Sequence, residues 1–548
     1  MKAELSHAPT GLGAFAELAE LAELEAFAEL GTFLNHYAPL TPYGQHRKQH
    51  LLLVTSRERL EDDYRRIELA MGFERQAAAA QRVAHHLKRI PFLDCLDQSE
   101  WDASEVFLIK RFLVNYQAIH DLLPDDLRKA LGLHFSSTSL LELLNAGSQN
   151  SESFFISDAY ADGLKQVRNR IQALEGQAAG VRKARLDAIR AHCGLDFDHQ
   201  EFALIPKWEA DRVNRELVLL ETYDASRLMA RPVFPGDYLG LMQEKASLVA
   251  EEKGLEREVL RDISRHIARE LDALAGCVAA VTRLDDYLAR ARLSLAFQMT
   301  RPQLQDWGAP ISVQDGRFVP QVERCRELDL PYTPVNARFD RRVTVVHGAN
   351  MGGKTVLLKS VAFFQALAQL GFFVPCGVFR TVVFKGIHCL GSTAHEPVGG
   401  LSSFGREIYG FSNAQRDRNA LYLMDEFART TNSREAQALI SAVLHHLDGR
   451  DDCYAFLATH YTGLPTLPHV AYQRMKGLDE AKYAAYHTSD ETHDISERVK
   501  HISRFMTYEV EDDPDQTTTY DALKIARILG LDERIIEKAM AQLGDLDG

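Results

Sequence analysis

Apolar residues fall at every third position early in the chain: Leu18, Leu21, Leu24, Phe27 and Leu30, with Ala and Glu between them. Steps of three turn an α-helix by about 300°, so the apolar stripe drifts around the axis. The run predicts a helix docked on a curved surface rather than a coiled-coil seam, ended by Gly31, Pro39 and Pro42. From Gln45 to about Leu141 the spacing stays helical. Leu108, Ile109, Phe112 and Leu113 gather on one face there, and no strand alternation of any length appears. A third stretch, from about Ser151 to Pro235, opens with Phe154-Phe155-Ile156-Ser157-Asp158 and continues as a helix. Between Asp237 and Ala296 runs one long proline-free helical pattern. Gly240, Gly254 and Gly276 are its weak points, each costing about 1 kcal/mol relative to alanine. A helix of that length can carry motion between distant sites. Arg301-Pro302 ends it, and Trp307-Gly308-Ala309-Pro310 reads as a linker.

The pattern then becomes that of buried strands alternating with helices. Arg342-Val343-Thr344-Val345-Val346 is a β-branched run that predicts a buried parallel strand. Val356 to Leu370 predicts a helix stopped by Gly371. Between them stands Gly348-Ala349-Asn350-Met351-Gly352-Gly353-Lys354-Thr355, which fits G-x-x-x-x-G-K-[ST], the phosphate-binding loop. Strand, glycine loop and helix N-terminus make an anion site from backbone alone. Lys354 is placed to reach the β- and γ-phosphates of ATP, and Thr355 to ligate Mg²⁺. The bland alternative, a glycine-rich turn with a surface lysine, does not account for the flanking elements.

Two further strands end in reactive groups. Leu421-Tyr422-Leu423-Met424-Asp425-Glu426 is an apolar strand closing on two acids. Asp425 is expected to hold the Mg²⁺ shell and Glu426 to orient or deprotonate the attacking water. Tyr454 to Thr459 is a strand ending at His460, expected at the γ-phosphate or the water, since strand ends meet at the ligand crevice of an open α/β sheet. Gly399-Gly400-Leu401-Ser402-Ser403-Phe404 opens a helix from Arg406 to Asn419. Ser402 and Ser403 there make either an N-cap or a second anion site, which makes sense if it covers the nucleotide of a neighbouring subunit.

Composition narrows the setting. The 548 residues are 46% hydrophobic and 26% charged, ordinary for a soluble protein of several domains. A net charge of −14 disfavours a uniformly basic nucleic-acid coat but leaves room for one basic groove. The most basic stretch carries Lys165, Arg168, Arg170, Arg182, Lys183, Arg185 and Arg190. It reads either as a phosphate-contacting face or as a solvated helix laced with i,i+4 pairs. Seven cysteines without a C-x-x-C pair suggest neither a zinc site nor a disulfide framework, hence a reducing, cytoplasmic setting. No signal peptide or membrane span is expected.

Taken together, these motifs resemble the MutS family of ABC-type ATPases. The phosphate loop is similar to the family's G-P-N-M-G-G-K-S. Leu401-Ser402-Ser403-Phe404 with Glu407 is similar to R-S-T-F-x-x-E. Met424-Asp425-Glu426-Phe427-Ala428-Arg429-Thr430-Thr431 resembles M-D-E-I-G-R-G-T, and Ala458-Thr459-His460-Tyr461 matches A-T-H-Y. The resemblance implies an α-helical lever and clamp region followed by an α/β P-loop (ABC-type) ATPase domain. It implies ATP and Mg²⁺ as cofactors, held by Gly348, Asn350, Met351, Gly352, Gly353, Lys354 and Thr355. Tyr332 stands where the family sets an aromatic on the adenine. It also implies a homodimer in which each ATP lies between one subunit's phosphate loop and the other's serine signature. The expected divisions are a helical extension (1–44), a helical core (45–150), a clamp-like helical segment (151–236), a lever helix (237–300) and the ATPase domain (301–548). Asp521 to Leu543 would supply dimerisation helices.

Departures bear on the partner. The family's mismatch reader and connector are not expected here, and Phe15-Ala16-Glu17 and Phe27-Ala28-Glu29 read as chance matches to its Phe-x-Glu. Leu401 replaces an arginine, and Ala428 and Thr430 replace glycines. The first expectation is a DNA-binding clamp that does not itself read mismatches. The alternative is remodelling of a client enzyme, as in the reactivases of cobalamin-dependent lysine aminomutase, which the serine and Asp-Glu segments also resemble.

Overall fold

The structure, a computed structural model, describes residues 21–147, 153–348, 352–391, 402–479, 481, 500, 502–517 and 521–546. The chain forms two compact units, each built from separated stretches. One comprises Met1–Lys88, Leu122–Leu133 and Ala280–Gly548; the other comprises Arg89–Asp121 and His134–Ala279. The contiguous segment 45–150 is therefore shared between them.

After a helical stretch at 21–27 come α1 (Leu30–Leu34), α2 (Pro42–Lys48), α3 (Arg57–Glu74), α4 (Ala77–Leu87), α5 (Ala103–Leu122), α6 (Asp125–Leu131) and α7 (Thr138–Leu144). The second unit continues with α8 (Asp162–Cys193), strands β1 (Ala203–Pro206), β2 (Val218–Thr222) and β3 (Arg227–Pro232), and α9 (Gly236–Arg269). Helix α8 buries Leu164, Val167, Leu174, Leu186 and Ile189 and ends at Gly194 in the left-handed conformation. It packs along α9. Ion pairs lace the two: Arg168 to Glu252 and Glu256 at 2.7 and 2.8 Å, Arg170 to Glu244 at 2.8 Å, and Lys245 to Glu175 at 2.7 Å.

Here the expectation of helix throughout 151–236 is corrected. Residues 203–232 form an antiparallel sheet in the order β1-β3-β2. Its inner face sets Ile205, Val218 and Ala230 against Leu186 and Ile189 of α8. The hairpin between β2 and β3 turns on Asp224, whose carboxylate accepts from the N–H groups of Ser226 and Arg227, an Asx turn readable in principle. The single long helix expected over 237–300 is also corrected. It is two helices, α9 and α10 (Leu271–Ala296), interrupted at Glu270, whose φ of −105° and ψ of 5° leave the helical region. The Glu270 carboxylate accepts from Ser137 Oγ at 2.8 Å. The three glycines do not break the helices.

In the first unit, a six-stranded sheet has the order β13-β12-β7-β11-β10-β9. It comprises β7 (Val343–His347), β9 (Gly386–Gly391), β10 (Ala420–Asp425), β11 (Cys453–Thr459), β12 (Val470–Leu478) and β13 (Met506–Asp512). All neighbours run parallel except β12 and β13. Every residue of β7, β10 and β11 is buried, the mark of central parallel strands covered on both faces. A smaller sheet, β4-β8-β5-β6, comprises β4 (Gln303–Leu304), β5 (Ile311–Gly316), β6 (Val335–Phe339) and β8 (Val378–Thr381), with α11 (Val319–Glu327) between β5 and β6. The remaining helices are α12 (Lys354–Gln369), α13 (Ser403–Ala414), α14 (Ser433–Asp448), α15 (Asp521–Ile528) and α16 (Glu533–Leu546).

Helix α12 is apolar nearly all round because it is enclosed nearly all round. Its two interior glutamines are satisfied: Gln365 bonds Thr381 Oγ1 and Val382 O, and Gln369 exchanges bonds with the backbone of Phe384 at 2.8 and 3.0 Å. No described helix is long and apolar enough to cross a membrane. The C-terminus of α12 is held by buried Arg290 of α10, whose Nη1 donates to Leu370 O and Gly371 O, both at 2.7 Å. Tyr64 of α3 donates to Ala368 O at 2.8 Å. Arg290 is paired in turn with Asp286 at 2.7 Å. Burial works against the Asp286 charge, yet Arg290 and Arg47 outweigh it and keep the carboxyl below its ordinary range.

Candidate nucleotide site

Strand β7 delivers the glycine loop to the N-terminus of α12. Gly353 is the N-cap, at φ 96°, and a Cβ there would lie 3.0 Å from the Tyr508 ring. The loop therefore needs glycine for both its backbone angle and its close approach to β13. Ala349, Asn350 and Met351 lie outside the described residues.

Lys354 is buried, and its Nζ donates to Gly348 O at 2.7 Å. Burial lowers its pKa, against the upward pull of Glu426 and Asp425. Thr355 Oγ1 donates to Asp425 Oδ1 at 3.0 Å. Asp425 ends β10, and its carboxyl is raised above the ordinary range, first by burial and then by the Glu426 charge; the Thr355 bond and Lys354 pull the other way. Gly391 of β9 makes room for this strand end, since a Cβ there would sit 2.1 Å from Asp425 O.

Glu426 takes φ 51°, and its N–H donates to Ala458 O at 2.9 Å. Its carboxylate pairs with Arg429 at 2.5 Å. Departure from the strand into a left-handed residue turns the Glu426 side chain away from the sheet line and toward the loop.

These groups border a cavity of about 360 Å³ lined by Gly352, Gly353, Lys354, Thr355 and Glu426, with Tyr332 and Tyr508 also contributing. Tyr332 is pinned by its hydroxyl, which accepts from Phe318 N–H at 2.8 Å and donates to Gly316 O at 3.2 Å. Tyr508 was not expected; its signal was the alternating strand Met506–Asp512, too short to stand out. The set of Thr355 hydroxyl and Asp425 carboxylate suits a hard cation that keeps most of its ligands as water and phosphate, as Mg²⁺ does.

Five expected residues among those described stand outside this lining: Gly348, Asp425, Ser402, Ser403 and His460. Ser402 is the N-cap of α13, accepting from Gly405 N–H at 3.1 Å, and both it and Ser403 are exposed. His460 follows β11 with its ring against Tyr461, centroids 4.2 Å apart, and is exposed. Partial desolvation lowers its pKa, helped by the charges of Lys354 and Arg429 and opposed by that of Glu426. Leu401 lies outside the described residues. Glu407, which closes the serine signature, is buried, and its carboxylate accepts from Ala428 N–H at 2.8 Å.

The Phe-x-Glu at 27–29 is turned inward. Phe27 is buried, and Glu29 is bound by Lys359 of α12 at 2.8 Å and by Arg324 of α11. Phe15, Ala16 and Glu17 lie outside the described residues.

Residues 344–547 match the family model described as MutS domain V. The DNA mismatch repair protein MutS of Salinibacter ruber is 27% identical over 323 residues. That match spans 57% of this chain and 35% of the relative.

Proposed function

We propose that this MutS-family chain binds ATP with Mg²⁺ and hydrolyses it to ADP and phosphate as a cytoplasmic homodimer. The observation that carries the reading is the 3.0 Å bond from Thr355 to Asp425, with Thr355 lining the same cavity as Lys354 and Glu426. Mg²⁺ neutralises charge on the phosphate oxygens. Thr355 and Asp425 are the chain's ligands for it. Lys354 leaves Gly348 O and turns to the β- and γ-phosphates. Glu426, steadied by Arg429, orients the attacking water and takes its proton. His460, kept neutral near pH 7 by its lowered pKa, donates one hydrogen bond to the γ-phosphate or accepts one from the water. The adenine lies on Tyr332. Ser402 and Ser403, exposed on α13, cap the nucleotide bound by the other subunit, and α15 and α16 join the two copies.

DNA is the first partner in this reading, supported by the similarity to a DNA mismatch repair protein; the clamp would hold it without reading mismatches. A second reading, a protein client remodelled by the ATPase, is favoured by a specific observation. Arg168, Arg170 and Arg190 of the basic helix are spent on carboxylates of the same unit. Substituting Glu426→Gln tests the core of the proposal. ATP binding should persist while turnover falls by about 10²-fold or more. Wild-type turnover in that variant would remove Glu426 from the mechanism.

A further inference from the structure

The sheet β1-β3-β2 buries one face only. Directly paired residues share a face, and the register pairs Leu204 with Met229, Met229 with Glu221, and Leu219 with Arg231. These form the outer face, opposite Ile205, Val218 and Ala230 in the core. Leu204 and Leu219 are exposed, Leu219 to 50%. At the hairpin end stand two aromatic side chains. Lys207 N–H donates to Ser226 O at 3.0 Å, which sets the turn carrying Trp208 beside the hairpin turn that follows Tyr223. Trp208 is 69% exposed and Tyr223 52%. Each has an arginine over its ring, Arg212 at 5.8 Å and Arg227 at 5.5 Å.

Apolar area of this kind in water is a cost unless something covers it. Trp, Tyr, Met and Arg are also the residues enriched where proteins meet. A nucleic acid would need cations free to displace counterions. This region lacks that surplus: residues 195–235 hold eight acidic and five basic residues. Arg227 is paired with Asp224 at 2.8 Å, Arg231 with Glu221 at 3.8 Å, and Arg190 at the end of α8 with Asp196 and Asp198.

We infer that the outer face of β1-β3-β2, with Trp208 and Tyr223 at its hairpin end, docks a protein whose contact patch is apolar with a basic rim. Leu204, Leu219 and Met229 supply the dry centre, the aromatic pair anchors one end, and the excess of carboxylates selects the rim. The inference rests on the protein-client reading and deepens it by locating the contact.

The test uses the full chain. Short random peptides on phage are panned against it, and enriched sequences are made as fluorescent peptides for anisotropy measurements. Selected peptides should carry apolar residues flanked by Lys or Arg. Their affinity should fall about tenfold or more in Leu204→Ser/Trp208→Ala. Glu221→Lys reverses an exposed charge and ends its 3.8 Å pairing with Arg231; it should weaken the basic-flanked peptides while leaving the fold intact. Enrichment of peptides that bind both variants as well as wild type would overturn the inference. So would tighter binding of labelled single-stranded or duplex DNA that is lost in Leu204→Ser/Trp208→Ala. ATP turnover in the same samples separates the two proposals. Turnover with no docking removes this one alone, and docking without turnover removes the ATPase reading.

Discussion

Glu407 and Ala428 are joined by a hydrogen bond, the Ala428 N–H donating to Glu407 Oε2 at 2.8 Å. The bond ties the helix that begins at Ser402 to the turn that follows Asp425 and Glu426. Ala428 takes φ 64° there, where the family motif carries glycine. An alanine in the left-handed region carries strain of roughly 1 kcal/mol. Ala428→Gly should therefore stabilise the domain around β10 by about that amount, read from denaturant unfolding followed by a probe in that domain. A loss of stability would mean that the turn relaxes around alanine.

The raised Asp425 pKa gives a pH dependence of definite sign. Burial disfavours the charged carboxylate in the folded chain. Stability tied to this group is greatest below its ordinary pKa and is lost as pH rises through the elevated one. A bound divalent cation reverses that loss by favouring the carboxylate. Mg²⁺ with ATP should thus raise the melting temperature more at neutral pH than in mild acid. Asp425→Asn should flatten the difference. Equal Mg²⁺ stabilisation across the range would exclude Asp425 as a ligand.

Mixed assemblies address the exposed serines. Lys354→Ala subunits combined with Ser402→Ala/Ser403→Ala subunits leave at most one complete site per mixed dimer. ATP-dependent association in sedimentation should weaken accordingly, and turnover should fall to about half of the wild-type dimer or less. A monomer that hydrolyses ATP at a concentration-independent rate would dispose of the shared site.

Duplex DNA offers a quantitative check on the first partner. With Arg168, Arg170 and Arg190 paired, the exposed cations of α8 without a partner among the described residues include Lys165, Arg182 and Lys183. If these three are its contribution, α8 adds a slope of about −3 to log K against log salt. Arg182→Glu/Lys183→Glu should reduce the slope by about 2 and leave basal ATP turnover unchanged. A slope unaffected by the pair would move DNA, if bound at all, to another surface.

Strands β7, β10 and β11 were legible because central parallel strands are apolar on both faces. Helix α12 was legible for a related reason, an apolar run enclosed nearly all round. The β1-β3-β2 sheet was not, because strands of four to six residues with one wet face look like loop or helix in a single sequence. The break at Glu270 left no mark because neither glycine nor proline causes it. Contacts such as Glu407 to Ala428, and compact units assembled from separated stretches, depend on the tertiary fold; no local pattern encodes them.

Arg290 gives α12 an unusual mechanical character. The helix has 16 residues, about 24 Å at its normal rise, with the glycine loop at one end and a buried cation at the other. That cation answers the partial negative charge of the terminal carbonyls and is itself seated by Asp286 and the face of the Phe372 ring, 4.2 Å away. Such a helix behaves as a strut fixed in a socket. Fraying at the far end is costly, because freeing Leu370 O and Gly371 O would leave Arg290 Nη1 without its carbonyl acceptors in the dry interior. The far end of α12 is therefore anchored to α10, and a shift along the helix axis is resisted at the Arg290 socket as well as at the loop.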